Sequence, residues 1–292
     1  MPNTVTSAFR VSSIADARAA LERVRGDGIR IGFVPTMGAL HRGHLSLVKH
    51  ARENADCVVM SIFVNPLQFG PSEDFNRYPR PIEQDARLAS EAGVDILFTP
   101  SPEEMYPDGR ATTVSAGIAG TVWEGEVRPG HFDGVLTVVA KLFNIVEPDV
   151  AVFGRKDLQQ ASLIQTMVRD LDFPVTIVVA PTVRESDGLA LSSRNAYLSE
   201  DERQDALVLI NSLRAVSSAF AGGEHDGGRL EGIGREQFNA VPAAKLDYLA
   251  VVNRMTLAPE LTAQKGTAVI VAARFEATRL IDNIILGEND QD

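Results

Sequence analysis

Apolar residues fall into short unbroken runs at 30–34, 57–64, 95–98, 150–153 and 175–179. Most of these runs do not alternate with polar positions, the pattern of strands buried on both faces. Between them apolar residues recur at helical spacing near 43–54, 81–92, 133–146 and 157–171. A further helix is predicted over 13–25, where Ser13 is an N-cap with Asp16 three positions on and Ile14, Ala17, Leu21 and Val24 form the stripe. Gly26 and Gly28 end it. Strand alternating with helix predicts an α/β fold with a Rossmann-like, doubly wound parallel sheet.

The character changes after about residue 185. A long helix is predicted at 199–220, a Gly-rich mobile loop at 222–228, and a second helix at 229–240. Runs at 245–252, 267–273 and 278–286 read as antiparallel strands. The chain is thus expected to hold a first domain over 1–185 and a smaller C-terminal α+β lid domain over 186–292. The last six residues are expected to form a frayed acidic tail. Residues 100–132, with four prolines and Trp123, are too long for an ordinary connection and are assigned a functional or interface role.

The formal charge of −11 argues against a surface for nucleic acid or anionic membrane and favours cytoplasmic metabolism. No stretch of about 18 apolar residues occurs. Arg10, Asp16, Arg18 and Glu22 leave no apolar core for a signal peptide. The single cysteine, Cys57, sits in an apolar run and reads as a small core residue rather than a nucleophile.

Chemistry concentrates in the segment Thr36-Met37-Gly38-Ala39-Leu40-His41-Arg42-Gly43-His44, which follows the first apolar strand. Open α/β sheets bind ligands beyond the carboxyl ends of their strands. No GxGxxG follows this strand and no Walker A loop occurs. The segment does run into a helix start, where unpaired N–H groups suit phosphate. Gly38 and Gly43 allow close backbone approach. His41 and His44, three apart, face one side of the first turn. Two imidazoles there would donate to a polyphosphate during attack on the α-phosphorus. One preorganised donor of this kind is worth roughly 3–4 kcal/mol of barrier, against about 2 kcal/mol at best for the helix terminus. A zincin site is a poor match, because its histidines stand four apart with a glutamate where Arg42 stands. The structural alternative, in which the pair caps the helix or packs under it, stays open on spacing alone.

Three other segments follow predicted strands. Ser192, Ser193 and Arg194 supply two hydroxyls and a fixed cation suited to phosphate oxygens, with a polar N-cap as the alternative. In Phe153-Gly154-Arg155-Lys156-Asp157-Leu158-Gln159-Gln160, Lys156 is a mobile cation, Asp157 is chiefly a helix cap, and Gln160 lies one turn on. In Asn65-Pro66-Leu67-Gln68, Gln68 is an uncharged amide suited to a small hydroxy acid.

Together these segments carry a family resemblance. PTMGALHRGH (35–44), SIFVNPLQFGPSEDFNRYPR (61–80), RPGHFDGV (128–135), FGRKDLQQ (153–160) and RESDGLALSSRN (184–195) resemble, in order, the pantothenate synthetase (pantoate–β-alanine ligase) family. The HxGH element alone marks a wider superfamily of adenylyl-transferring enzymes. The resemblance implies an ATP-dependent ligation of pantoate and β-alanine through pantoyl adenylate, with Mg²⁺ carried by ATP. It implies an ATP site from Pro35, Met37, Gly38, Ala39, Leu40, His41, Arg42, Gly43 and His44. Gly154, Arg155, Lys156, Asp157, Val183, Leu191, Ser192, Ser193 and Arg194 would complete that site. The catalytic set would be His41, His44, Lys156, Ser192, Ser193 and Arg194, with His44 as proton donor. Pantoate would meet Thr36, Met37, Gln68 and Gln160, and β-alanine would meet Gln68. Arg128 would lie near the β-alanine or phosphate region.

The 184–195 segment would be a flap that excludes water, hinged near Gly188. Leu191 stands where the family commonly has methionine, a swap of similar size. The family also implies a homodimer, with 100–130 in the contact, and no nucleic-acid or membrane partner. The alternatives are a nucleotidyltransferase of the same superfamily, which gives no reason for Gln68 and Gln160, and a non-catalytic nucleotide-binding regulator. A tRNA synthetase would need more chain after residue 190 than is present.

Overall fold

The computed structural model describes residues 8–26, 28–71, 73 and 75–288. The expected acidic tail lies outside these residues from 289 onward. In chain order the first elements are β1 (Phe9–Val11), α1 (Ile14–Gly26), β2 (Ile31–Thr36), α2 (Arg42–Asn54), β3 (Cys57–Ile62), α3 (Ile82–Glu91) and β4 (Ile96–Phe98). Two short helices follow, α4 (Pro102–Met105) and α5 (Glu124–Val127), then α6 (His131–Val146), β5 (Val150–Gly154), α7 (Leu158–Asp170) and β6 (Thr176–Ala180). The remainder is α8 (Glu200–Ala221), α9 (Gly227–Glu236), β7 (Ala244–Val252), β8 (Ala268–Phe275) and β9 (Thr278–Ile285).

The chain divides into two compact units. One runs to Phe153 and takes in Leu163–Ala180; the other holds Gly154–Ser162 and the chain from Pro181. The segment Gly154–Ser162 groups with the second unit, whereas pattern alone put it well inside a first domain ending at 185.

The first unit contains a six-stranded sheet in the order β1-β4-β3-β2-β5-β6. The pairs β1–β4, β3–β4, β2–β3 and β2–β5 are parallel. Its strands lack polar alternation because each face has its own core. Ile31, Phe33, Cys57, Val59, Ile96, Phe98, Ala151 and Phe153 join α1 and α6 in one cluster. Their neighbours Val34, Val58, Met60, Leu97, Val150 and Val152 join α2 in another. Successive strand side chains point to opposite faces, so two cores require apolar residues at every position. Burial pushes the Cys57 thiol up to about 11, with Asp95 adding to the shift, so it stays protonated at neutral pH.

The strand order reverses between β2 and β5, and ligand crevices of open α/β sheets lie at such a point. Residues 100–132 fold back as α4, a 3-10 turn at Ile118–Gly120 and α5. Met105 is fully buried in the first core, with Tyr106, Val114, Ala116 and Ala119 packed against it.

The second unit pairs α8 and α9 with an antiparallel sheet in the order β7-β8-β9. Leu209, Leu213, Val216 and Leu230 from the helices pack on Leu249, Val251, Val269 and Val271. Ser199 caps α8 in a reciprocal box with Glu202. The helix expected over 229–240 is α9, which starts at Gly227 inside the expected loop and passes into a 3-10 turn at Gln237–Ala240.

Candidate functional site

In the first unit, β2 ends at Thr36. Its hydroxyl donates to the Ser61 carbonyl on β3 (2.8 Å) and accepts from Gly38 N–H (3.2 Å), which turns the chain. Gly38 and Ala39 both take positive φ, 87° and 51°. The alanine costs roughly 1–2 kcal/mol in that conformation. Asp85 of α3, 1% exposed, offsets this: its two carboxyl oxygens accept from Ala39 N–H and Leu40 N–H, each at 2.8 Å. Two such bonds contribute about 1 kcal/mol or more each. The Leu40 side chain is buried in the α2-side core, and Pro35 is the penultimate residue of β2.

His41 is the N-cap of α2. Its Nδ1 accepts from Gly43 N–H at 3.1 Å, and Nδ1 of His44 accepts from His41 N–H at 3.3 Å. This is a capping box built from two histidines where serine and glutamate are usual. The rings lie 4.1 Å apart between centroids. The helix-capping and phosphate readings of the pair are therefore not rivals. With each Nδ1 occupied as an acceptor, hydrogen bonding assigns the proton of each neutral ring to Nε2. Capping makes each Nε2 a donor. Arg42 is exposed at the first helical position.

Gln68 closes a 3-10 turn, Pro66–Gln68, after β3 and is buried at 8% exposure. Its Nε2 donates to the Met37 sulfur at 3.1 Å, and its Oε1 accepts from Asn65 at 3.0 Å. Gly134 of α6 lies directly beneath; a Cβ there would fall on the Leu67 carbonyl. Its glycine is thus required by close packing rather than by φ. The Gln68 carbonyl accepts from His131 Nδ1 (2.7 Å) and Arg128 Nη2 (3.2 Å). His131 must donate from Nδ1, so its Nε2 is the acceptor facing Arg128 at 3.0 Å, the tautomer opposite to that of His41 and His44. Arg128 is also forked onto Glu73 at 2.8 and 2.6 Å. Burial raises the Glu73 carboxyl, but the hydrogen bond and charge of Arg128 outweigh it and hold the group below the usual carboxylate value.

In the second unit, Gly154 leads into a 3-10 turn, Arg155–Asp157. Arg155 is buried and paired with Glu288 at 3.3 Å. Lys156 is partly exposed, with Nζ 3.4 Å from Asp157. Asn283 of β9 holds this turn by its main chain, donating to the carbonyls of Arg155 (2.9 Å) and Lys156 (2.8 Å). Gln160 is in the first turn of α7, half-buried.

The neighbouring Asp282 accepts a two-pronged bond from Arg184, at 2.6 and 3.1 Å. Arg184 opens a small hairpin in which it bridges Ala190, and Leu191 N–H donates to the Val183 carbonyl at 2.9 Å. Gly188 at its tip has φ 100° and packs on Arg214; Asp187 is paired with Arg203 at 2.6 Å. Ser192 then caps the 3-10 turn Ser193–Tyr197, accepting from Arg194 N–H at 3.2 Å. Ser193 and Arg194 are half-buried. Consecutive residues of one strand thus anchor both predicted phosphate segments of this unit.

Asp85, Tyr106 and the Asp282–Asn283 pair were not singled out from sequence. Asp85 left a trace: it sits in the apolar stripe Ile82, Asp85, Ala86, Ala89, where a charge must have a partner.

The family model described as pantoate-beta-alanine ligase matches residues 10–285. A pantothenate synthetase from Acidobacterium capsulatum is 53% identical, over 96% of this chain and 97% of that protein. One from Thermus thermophilus is 54% identical, over 94% and 98%. The crystal structure of the Thermus thermophilus enzyme superposes with a TM-score of 0.90 at 53% identity, covering 95% of this chain and 99% of that one. A pantoate-beta-alanine ligase from Francisella tularensis, complexed with beta-gamma ATP and beta-alanine, gives a TM-score of 0.79 at 33% identity, over 97% and 99%. With a family model matching residues 10–285 and relatives at 53–54% identity over nearly the whole chain, the chain belongs to the pantoate–β-alanine ligase family.

Proposed function

We propose that the chain joins pantoate to β-alanine through pantoyl adenylate, with the His41–His44 turn as the catalytic element. A carboxylate and an amine at neutral pH form a salt, so the carboxylate needs a leaving group. In the first step a pantoate carboxylate oxygen attacks the α-phosphorus of ATP. The bond from that phosphorus to the bridging oxygen breaks, and pyrophosphate leaves with the bond's electrons. In the second step the β-alanine amine attacks the acyl carbon, the acyl–oxygen bond to AMP breaks, and the amine loses a proton.

The observation that carries this reading is the double cap. It fixes both imidazoles as Nε2 donors at a helix N-terminus, where charge develops on the phosphoryl oxygens during attack. His44 serves as the proton donor and His41 as its partner. In this reading Lys156 and Arg194 are the cations, and Ser192 and Ser193 the hydroxyls, for the ATP phosphates. Gln68 and Gln160 hold pantoate, and Gln68 also meets β-alanine. Among the described residues no group of three or more His, Cys, Asp or Glu side chains is placed to hold a metal ion. Magnesium would enter on the ATP phosphates, where it would neutralise charge on the leaving pyrophosphate. The proposal extends to a cytoplasmic homodimer with residues 100–130 in its contact. Ile118 in that segment is 85% exposed, an apolar side chain available for burial.

Pantoate, without β-alanine, should support exchange of labelled pyrophosphate into ATP. ATP binding without exchange would replace the adenylate mechanism with a regulatory role.

A further inference from the structure

Tyr106 has no place in the scheme above, yet it ends a chain of hydrogen bonds that leads to Gln68. It follows α4, whose Met105 is fully buried. The Tyr106 ring packs against Phe63 at 5.9 Å between centroids, with the Arg110 guanidinium 5.2 Å from its own centroid. Burial pushes its hydroxyl well above the usual phenol range despite Arg110, so it remains an O–H donor at any working pH.

That hydroxyl donates to Asn65 Oδ1 at 2.8 Å. Asn65 is 1% exposed and uses every position it has. Its Oδ1 also accepts from Leu67 N–H at 3.2 Å, while its Nδ2 donates to the Gly134 carbonyl (3.1 Å) and to Gln68 Oε1 (3.0 Å). An N–H of Leu67 and a carbonyl of Gly134 cannot exchange roles, so the Asn65 amide has one orientation. The Gln68 amide follows: its oxygen is committed to Asn65, and its NH₂ is turned away, with one hydrogen on the Met37 sulfur at 3.1 Å. With its oxygen held toward Asn65, Gln68 presents its remaining N–H to a ligand. A carboxylate or hydroxyl oxygen of pantoate is suited to accept that bond.

We propose that Tyr106 is a positioning residue for pantoate, acting through Asn65 to hold the Gln68 amide with its N–H₂ toward the substrate. This rests on the reading of Gln68 as a pantoate ligand. Residues 100–132 gain a functional task that their sequence did not disclose, because the contact spans 41 positions of chain.

The test is steady-state kinetics of Tyr106→Phe, which removes one oxygen and keeps the ring. Losing one buried hydrogen bond should raise the pantoate KM about five- to tenfold and leave the ATP KM unchanged. Because KM does not depend on the amount of folded enzyme, a modest loss of stability leaves the readout intact. Gln68→Ala, measured alongside, should raise the pantoate KM at least as much, and the double variant should add nothing further. An unchanged pantoate KM in Tyr106→Phe, or an equal rise in the ATP KM, overturns the relay while leaving Gln68 as a ligand. Further loss in the double variant also overturns it. If Gln68→Ala itself leaves the pantoate KM unaltered, the pantoate reading fails and the relay falls with it.

Discussion

Around the β2–α2 turn, the groups assigned to phosphate are short side chains tied to the main chain by their own ring nitrogens. His41 and His44 have almost no rotational freedom, because each Nδ1 is already a helix cap. Around Lys156 and Arg194 the opposite holds. There the main chain is fixed, by Asn283 under Arg155–Lys156 and by Asp282 through Arg184, while the cations sit on long flexible stems. The first arrangement suits a donor that must meet a developing charge at one place, where preorganisation gives the largest effect. The second suits point charges that follow a polyphosphate as it turns into pyrophosphate and leaves.

This contrast is most directly broken at His44. His44→Asn keeps a short side-chain acceptor for the His41 N–H and removes the Nε2 donor. Pyrophosphate exchange should fall about a hundredfold, with a melting temperature within a few degrees of the parent. Near-normal exchange would reduce the histidine to a cap.

Asn283→Ala tests the other half. It strips two carbonyls of their donor without touching Lys156 itself. The ATP KM should rise about tenfold, the equivalent of roughly 1.4 kcal/mol, with the pantoate KM unmoved. If Lys156→Ala impairs ATP use and Asn283→Ala does not, a flexible lysine needs no fixed base and the contrast loses its second half.

The smallest effect lies at Glu73, which ties Arg128 beside Gln68. Its folded carboxyl titrates below the ordinary 4.5, so its contribution to stability is present above that value and lost as pH falls through the lowered one. The melting-temperature gap between the parent and Glu73→Gln should be constant above pH about 5 and close on acidification. A gap that persists to strongly acidic pH would mean that packing, not charge, holds Arg128.

Much of this was legible in the chain. The strands of the first unit were readable because a doubly covered sheet needs an apolar residue at every position. β1 was not: it is a three-residue edge strand whose Phe9 is 58% exposed, too short and too open to carry a period. The glycines of the site were visible, but not their reasons. Gly38 answers to a positive φ and Gly134 to the backbone of Leu67, a distinction that composition does not make.

The sequence by itself determined which chemical groups are available and which strand or helix end each occupies, because periodicity, caps and motif spacing are local properties. Tertiary structure alone decided which atoms of those groups remain to act. Asp85 reaches back 45 or more residues to set the histidine turn, Tyr106 sets an amide 38 residues earlier through Asn65, and Asn283 holds a carbonyl 127 residues away. Hydrogen bonds that fix a tautomer or an amide orientation depend on separation in space, which no local pattern encodes.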